Sequence, residues 1–165
     1  MDNVDLYLRP SPNQSSRHDR PILLCVIHYT ATRTAEQILD WYANPKSKSS
    51  AHYVIGRDGV VYQCVSEDNC AYHAGISKWR GLEIISLKSG RPTVNPVSIG
   101  VKLVNSGLQE CTEEQFSALN HLADTWRLKY PQLEYVGHRH ISPERGRDPG
   151  PAFIWNVTSL FLPGG

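Results

Sequence analysis

The chain has 165 residues, of which 40% are hydrophobic and 20% are charged, and its formal net charge is +1 at pH 7. This length and composition fit one globular domain with its own core and leave too little chain for two. The near-neutral charge gives no electrostatic basis for binding nucleic acid, and no apolar run approaches the roughly 20 residues of a membrane span.

The first twenty residues are polar and rich in turn-forming residue types. Met1 to Asp5 lack the basic start and the apolar segment of a secretory signal peptide. We therefore expect a cytoplasmic protein, a phage- or effector-like protein released without a signal peptide, or a trimmed sequence. We predict an irregular arm over residues 1–20, followed by one domain over residues 21–165.

The first predicted strand is the continuous apolar run at residues 22–27, which is typical of a strand buried on both faces. It ends at His28, and a histidine in this position is either a core residue or a ligand at the end of the sheet. A capping box from Thr34 to Gln37 then predicts a helix that Asn44-Pro45 ends.

A β-hairpin is predicted next, because Asp58-Gly59 supplies a turn signal between strands at residues 51–56 and 60–65. A long irregular section follows at residues 66–96, and loops of this length in compact domains usually serve function. His73 and Trp79 in this section are candidates for a substrate wall, or they pack the loop against the core.

Residues 97–104 alternate as a strand, with Lys102 on the same face as Ser98 and Gly100. A lysine on so apolar a strand lies either at a sheet edge or in a polar cleft. A second capping box, starting at Thr112, predicts a long amphipathic helix that Pro131 ends. We predict a short strand at residues 135–136 and a short C-terminal helix at residues 155–160.

The four cysteines lack the close spacing of a zinc knuckle. Cys64 and Cys70 can pair across a short loop in an oxidising compartment. The alternative is that all four are buried or free thiols.

The stretch at residues 137–151 places His138 and Asp148 ten positions apart, around a loop that ends in an Asp-Pro-Gly turn. Together with His28 they supply two imidazoles and one carboxylate. This ligand set, with an open fourth position, suits a hydrolytic zinc ion. His140 is the competing histidine, but it points away from His138 if the segment is extended.

Six short motifs in a fixed order carry a resemblance to a known family. They are Ile27-His28-Tyr29-Thr30-Ala31, Ser50-Ala51-His52-Tyr53, Arg57-Asp58-Gly59, His73-Ala74-Gly75, Asn95-Pro96-Val97-Ser98-Ile99-Gly100, and Gly137-His138 with Asp148-Pro149-Gly150-Pro151. In this order they resemble the zinc-dependent N-acetylmuramoyl-L-alanine amidases of the AmpD/AmiD type, from about residue 20 to the C-terminus. The resemblance implies a single α/β domain, in which helices flank a central mixed β-sheet and a zinc site lies in a surface groove.

The resemblance also implies a peptidoglycan hydrolase. Such an enzyme cleaves the amide bond between the lactyl group of N-acetylmuramic acid and L-alanine, in the cell wall or in muropeptide fragments. Its zinc ligands would be His28, His138 and Asp148, with Zn2+ as the cofactor. We expect a monomer whose partners are peptidoglycan or muropeptides.

Further residues are candidates for roles in the groove, some from the family motifs and some from their places in the long loop or beside the candidate ligands. Candidate substrate-binding residues are His52, His73, Trp79, Asn95, Arg145 and Arg147. Candidate catalytic residues are Lys102, Tyr29 and Glu144.

Two positions depart from the family pattern. Lys102 stands where the family has a glutamate that acts as general base, and Gly146, between two arginines, stands where it often has a lysine. A neutral Lys102 can accept a proton, or a cationic one can stabilise the oxyanion. Zinc lowers the pKa of bound water to about 7, whereas loss of a general base costs roughly 10²–10⁴-fold in rate. The alternative function is a muropeptide-binding domain that keeps the zinc site.

Overall fold

A central six-stranded sheet organises the computed structural model, which describes residues 4–82, 84–153 and 155. In chain order the strands are β1 (Leu6–Leu8), β2 (Gln14–Ser16), β3 (Leu24–Tyr29), β4 (Tyr53–Ile55), β5 (Val61–Gln63), β6 (Asn69–Ala71), β7 (Ile84–Ile85), β8 (Pro92–Thr93), β9 (Ser98–Leu103) and β10 (Glu134–Gly137). The sheet order is β1-β5-β4-β9-β3-β10. Only the β4–β5 hairpin is antiparallel among these pairs, so the sheet is mixed, as predicted.

Both long helices begin where capping boxes predict them. The helices are α1 (Ala35–Ala43), α2 (Glu113–Lys129) and the single turn α3 (His138–Ile141). The side chains of Thr34 and Thr112 accept from the backbone N–H three residues on, and Gln37 and Gln115 bond back to the cap. In the part of the chain that the structure describes, no helix combines the length and apolar character needed to cross a bilayer.

Strand β9 divides the core between its two faces. One face carries Ile99, Val101 and Leu103, which pack with Leu119 and Trp126 of α2. Because side chains alternate along a strand, Ser98, Gly100 and Lys102 project from the opposite face. The predicted alternation is therefore confirmed, and it places Lys102 on the side of the sheet away from α2.

The N-terminal segment forms more regular structure than predicted. β1 joins the sheet edge in parallel with β5, and β2 pairs antiparallel with β6. The prediction of an irregular arm was wrong on this point. The β1 side chains are exposed, so backbone hydrogen bonds hold the strand in place without the buried face that would give a sequence signal.

The remaining predictions concern the cysteines and the chain end. All four cysteines are free thiols, and Cys25, Cys64 and Cys70 are buried. The long section at residues 66–96 is mostly irregular but includes the short strands β6 to β8. Residues 156–160 of the predicted C-terminal helix lie outside the described residues.

Candidate metal centre and groove

Three side chains meet at the carboxyl ends of two parallel strands of the central sheet. His28 lies in β3, and His138 follows β10 directly. These strands are parallel neighbours with Ile27 opposite Gly137, so both histidines reach the same edge. Asp148 returns from the following loop, where its Oδ1 accepts from the Tyr29 N–H at 2.8 Å. The sheet topology thus assembles the three predicted ligands from distant parts of the sequence.

The three ligand atoms are close enough to share one metal ion. His28 Nδ1 lies 3.2 Å from His138 Nδ1 and 3.1 Å from Asp148 Oδ2, and His138 Nδ1 lies 2.9 Å from the same oxygen. A tetrahedral zinc with bonds of about 2.0–2.1 Å holds its ligand atoms about 3.3 Å apart. All three residues are buried, and as a group they can hold a metal ion.

The surroundings favour the protonation states that metal binding requires. Burial, reinforced by the charge of Lys102, lowers the pKa of His28 to about 3. Burial raises the pKa of Asp148, but the electrostatic influence of the neighbouring His28 and His138 outweighs it and holds that pKa well below its usual range. A neutral imidazole and an ionised carboxylate are the forms that bind metal.

A groove of about 480 Å³ opens over His138 and Asp148, and the fully buried His28 lies behind them. Lys102 is half-buried in its wall and lies opposite His28 in the β3–β9 register. The groove is lined by Tyr29, Thr30, Ala31, Lys48, Ser49, Tyr72, His73, Gly75, Lys102, His138 and Asp148. The half-buried position confirms that Lys102 lies in a polar cleft.

A second cavity of about 640 Å³ adjoins the groove and shares Lys48, Tyr72 and Gly75 with it. Its apolar wall comes from Ile84, Ile85 and Leu87. Its basic wall comes from His18, Arg20, Lys48 and Lys88. The combination suits a ligand with both apolar groups and negative charge.

The sequence profile of the N-acetylmuramoyl-L-alanine amidase family matches residues 18–151. The chain belongs to this family. The AmpD amidase of Enterobacter cloacae is 38% identical in an alignment 174 positions long, gaps included, which covers 93% of this chain and 88% of that protein. The match to other curated AmpD relatives, such as that of Salmonella typhimurium, covers 53% of their own length, so the chain spans about half the length of these proteins.

Two solved structures of the family share the fold. A selenomethionine derivative of AmpD superposes with a TM-score of 0.77 at 28% identity, covering 95% of this chain and 93% of that one. AmiD from Escherichia coli, solved with anhydro-N-acetylmuramic acid-L-Ala-D-γ-Glu-L-Lys, gives a TM-score of 0.70 at 30% identity. That match covers 86% of this chain and 58% of the AmiD chain. The predicted family and α/β fold are therefore confirmed.

The histidines of the other family motifs lie beneath the groove. His73 is buried at its floor, with its Nδ1 3.0 Å from His28 Nε2. Burial, reinforced by the neighbouring histidines, lowers the pKa of His73 well below its usual value, so the ring is neutral. His52 is fully buried, and its Nδ1 accepts from the Gly100 N–H at 2.9 Å. The structure does not place His52 in the groove wall, because β9 backbone covers it.

The predicted substrate residues Trp79 and Asn95 have packing or bonding roles within the protein. Trp79 packs, partly buried, against the apolar cluster that includes Val94 and Val136. Asn95 borders the second cavity, but its Oδ1 accepts from the backbone N–H groups of the loop around His73.

The loop between the candidate ligands His138 and Asp148 carries the remaining predicted residues. Glu144 and Arg147 are exposed there, and neither belongs to the described residues that line the two cavities. Arg145 ends the short 3₁₀ turn Pro143–Arg145.

His140 is not one of the converging candidate ligands, but for a different reason than predicted. Residues 138–141 form a helical turn instead of an extended segment, and His140 Nδ1 accepts from the Gly137 N–H at 2.8 Å.

Sequence reasoning did not select Lys48 or Tyr72, which line both cavities. Each lies one or two residues before a family motif, Tyr72 before His73-Ala74-Gly75 and Lys48 before Ser50-Ala51-His52. Proximity to these motifs was the available signal.

Proposed function

We propose that this protein is a peptidoglycan amidase that uses zinc to hydrolyse the amide bond between the lactyl group of N-acetylmuramic acid and L-alanine. The observation that carries this proposal is the convergence of His28 with His138 and Asp148, two residues that line an open groove, in a chain of the amidase family. Two imidazoles and a carboxylate leave a fourth position for water or substrate, as in catalytic zinc sites.

The three converging atoms would hold Zn2+, and their spacing fits its tetrahedral radius. When bound, zinc supplies a Lewis acid for the scissile carbonyl and lowers the pKa of water to about 7. The protein supplies His28 in its neutral form and Asp148 in its ionised form. Because all three ligand residues are buried, bulk water would reach the metal only from the side of the open fourth coordination position.

Lys102 takes the oxyanion role in this proposal. A cation beside a metal site cannot replace the carboxylate base of the family, but it can stabilise negative charge that develops on the carbonyl oxygen. Its place in the groove wall, opposite His28, suits this role. Tyr29, also in the wall, is the better candidate for handling a proton than Glu144, which is exposed on the outer loop.

The second cavity is the proposed seat of the stem peptide. The ligand bound to AmiD contains D-γ-Glu, a linkage that leaves the α-carboxylate free. Arg20, Lys48 and Lys88 put positive charge on the walls of the cavity, next to apolar side chains. Because Lys48 and Tyr72 belong to both cavities, a muropeptide can extend from the metal centre into this space.

The test is turnover of a muropeptide by zinc-loaded protein, by EDTA-treated protein and by treated protein with zinc restored. The proposal expects free stem peptide in the first and third samples only. An unchanged muropeptide that binds to protein carrying one zinc per chain would contradict it and favour the muropeptide-binding domain. Such a result would make Lys102 a mark of lost catalysis.

A further inference from the structure

The two proposed ligand histidines are both supported by one dipeptide, His73-Ala74. His28 Nε2 lies 3.0 Å from His73 Nδ1, and His138 Nε2 lies 3.0 Å from the Ala74 carbonyl oxygen. Each ligand histidine therefore directs Nδ1 to the metal centre and Nε2 to this dipeptide. The nature of these two partners decides where the protons of the ligand rings lie.

Hydrogen bonds connect Ser98 to His73 and His73 to His28, and the donor of each bond can be assigned. The Ser98 hydroxyl donates to the Val94 carbonyl oxygen at 2.8 Å, so its oxygen accepts from His73 Nε2–H at 3.0 Å. In the tautomer that donates from Nε2 to Ser98, His73 has a lone pair on Nδ1, which accepts from His28 Nε2–H. His28 Nδ1 is left without a proton and faces the metal centre.

The second ligand histidine is fixed by a simpler contact. A backbone carbonyl oxygen only accepts, so His138 Nε2 carries the proton and donates to Ala74. His138 Nδ1 is therefore also free to bind metal. Both rings thus have the tautomer that a metal ligand requires.

Two neighbours hold the dipeptide in place. Asn95 Oδ1 accepts from the His73 N–H at 3.3 Å and from the Ala74 N–H at 2.9 Å. Gly100 gives room for the His73 ring, because a Cβ at position 100 would lie only 2.4 Å from His73 Cγ. The ring is confined between β9 and His28.

We propose that Ser98, His73 and Asn95 are positioning residues that set the tautomers of both metal ligands. The inference rests on the metal site of the proposed function but not on hydrolysis. It explains why a buried serine and a buried histidine stand beneath the groove. Substitution of residues that orient metal-bound histidines typically weakens metal binding 10–100-fold.

Zinc affinity, measured by competition with a chelator, tests the role of His73. His73→Leu removes the acceptor for His28 Nε2–H, and we expect about 10–100-fold weaker zinc binding. His73→Asn retains an acceptor oxygen at the position of Nδ1 and should recover most of this loss. A folded His73→Leu protein with wild-type zinc affinity would overturn the inference, as would equal losses in the two variants.

Ser98→Ala has a matched control in Ser11→Ala. Both serines are buried, and the Ser11 hydroxyl donates to the Tyr42 carbonyl oxygen, away from the histidines. We expect weaker zinc binding for Ser98→Ala and wild-type binding for Ser11→Ala, with circular dichroism as the check of folding. Equal zinc affinity in the two variants would contradict the inference.

Nitrogen-15 NMR of the zinc-loaded wild-type protein tests the tautomers without any substitution. The expected spectrum has His73 protonated at Nε2 alone and both ligand histidines protonated at Nε2. A proton on His73 Nδ1 would overturn the inference even if the protein hydrolyses muropeptide. A wild-type protein that binds no zinc would instead overturn the metal site itself, and the inference with it.

Discussion

Lys102 and His28 lie opposite each other on parallel strands, so the charge of the lysine acts on the groove beside the proposed metal site. If that charge stabilises the oxyanion, Lys102→Met should lower kcat by about 10²–10³-fold, the usual loss for one oxyanion donor. Zinc stoichiometry should not change. Steady-state kinetics with a muropeptide checks this, with the exposed Lys46→Met as the control. A Lys102→Met protein with wild-type kcat would remove the lysine from the mechanism.

At the scale of elements, one carboxylate ties α2 to the sheet. Glu67, in the loop after β5, accepts through Oε1 from Trp126 Nε1 at 2.6 Å and from the Tyr53 hydroxyl at 2.8 Å. Its Oε2 accepts from Lys129 Nζ and from the Tyr130 hydroxyl, both at 2.7 Å. Burial raises the pKa of Glu67, but these four donors outweigh it and lower that pKa to about 2.

This shift predicts a pH-dependent stability. The folded-state pKa is depressed, so the stabilisation is complete above the unfolded value of about 4.3 and is lost as pH falls through about 2. Glu67→Gln should lower the free energy of unfolding at pH 7 by roughly 3 kcal/mol and flatten its decline at acid pH. Urea unfolding at pH 7, 5 and 3 measures this, with the exposed Glu110→Gln as the control. Parallel pH profiles for wild type and Glu67→Gln would contradict the assignment.

The sequence predicted the metal centre better than its surroundings. His28 and His138 were recognisable because each follows an apolar strand within a family motif, and Lys102 because strand alternation gave its face. The burial of His52 was not predictable, because a motif does not distinguish a groove wall from the layer beneath it. β1 was missed because its exposed side chains carry no hydrophobic pattern. The shared family explains why the fold itself was predicted correctly.

At the scale of the whole molecule, the proposed metal site joins three distant parts of the chain. His28, His138 and Asp148 come together only in the folded state, so zinc should stabilise that state by mass action. Free zinc at about 100 times its Kd adds about 2.7 kcal/mol. For a chain of this size we expect Tm to rise by roughly 5–10 °C over the EDTA-treated protein.

Differential scanning calorimetry measures this shift, and His140→Ala is the matched histidine control. The His140 variant should keep the zinc-dependent rise, whereas His138→Ala should lose it. Equal Tm values with and without zinc for the wild-type protein would show that the three residues do not form a stabilising metal site.

The bond that is cut gives the most direct test of the proposed amidase. The zinc-loaded protein is incubated with anhydro-N-acetylmuramic acid-L-Ala-D-γ-Glu-L-Lys in water enriched in oxygen-18, and the products are identified by mass spectrometry. The account predicts a peptide with a free L-alanine amino group and one oxygen-18 atom in the lactyl carboxylate of the sugar. An intact muropeptide, or oxygen-18 in a carboxylate formed by cleavage of any other bond, would contradict it.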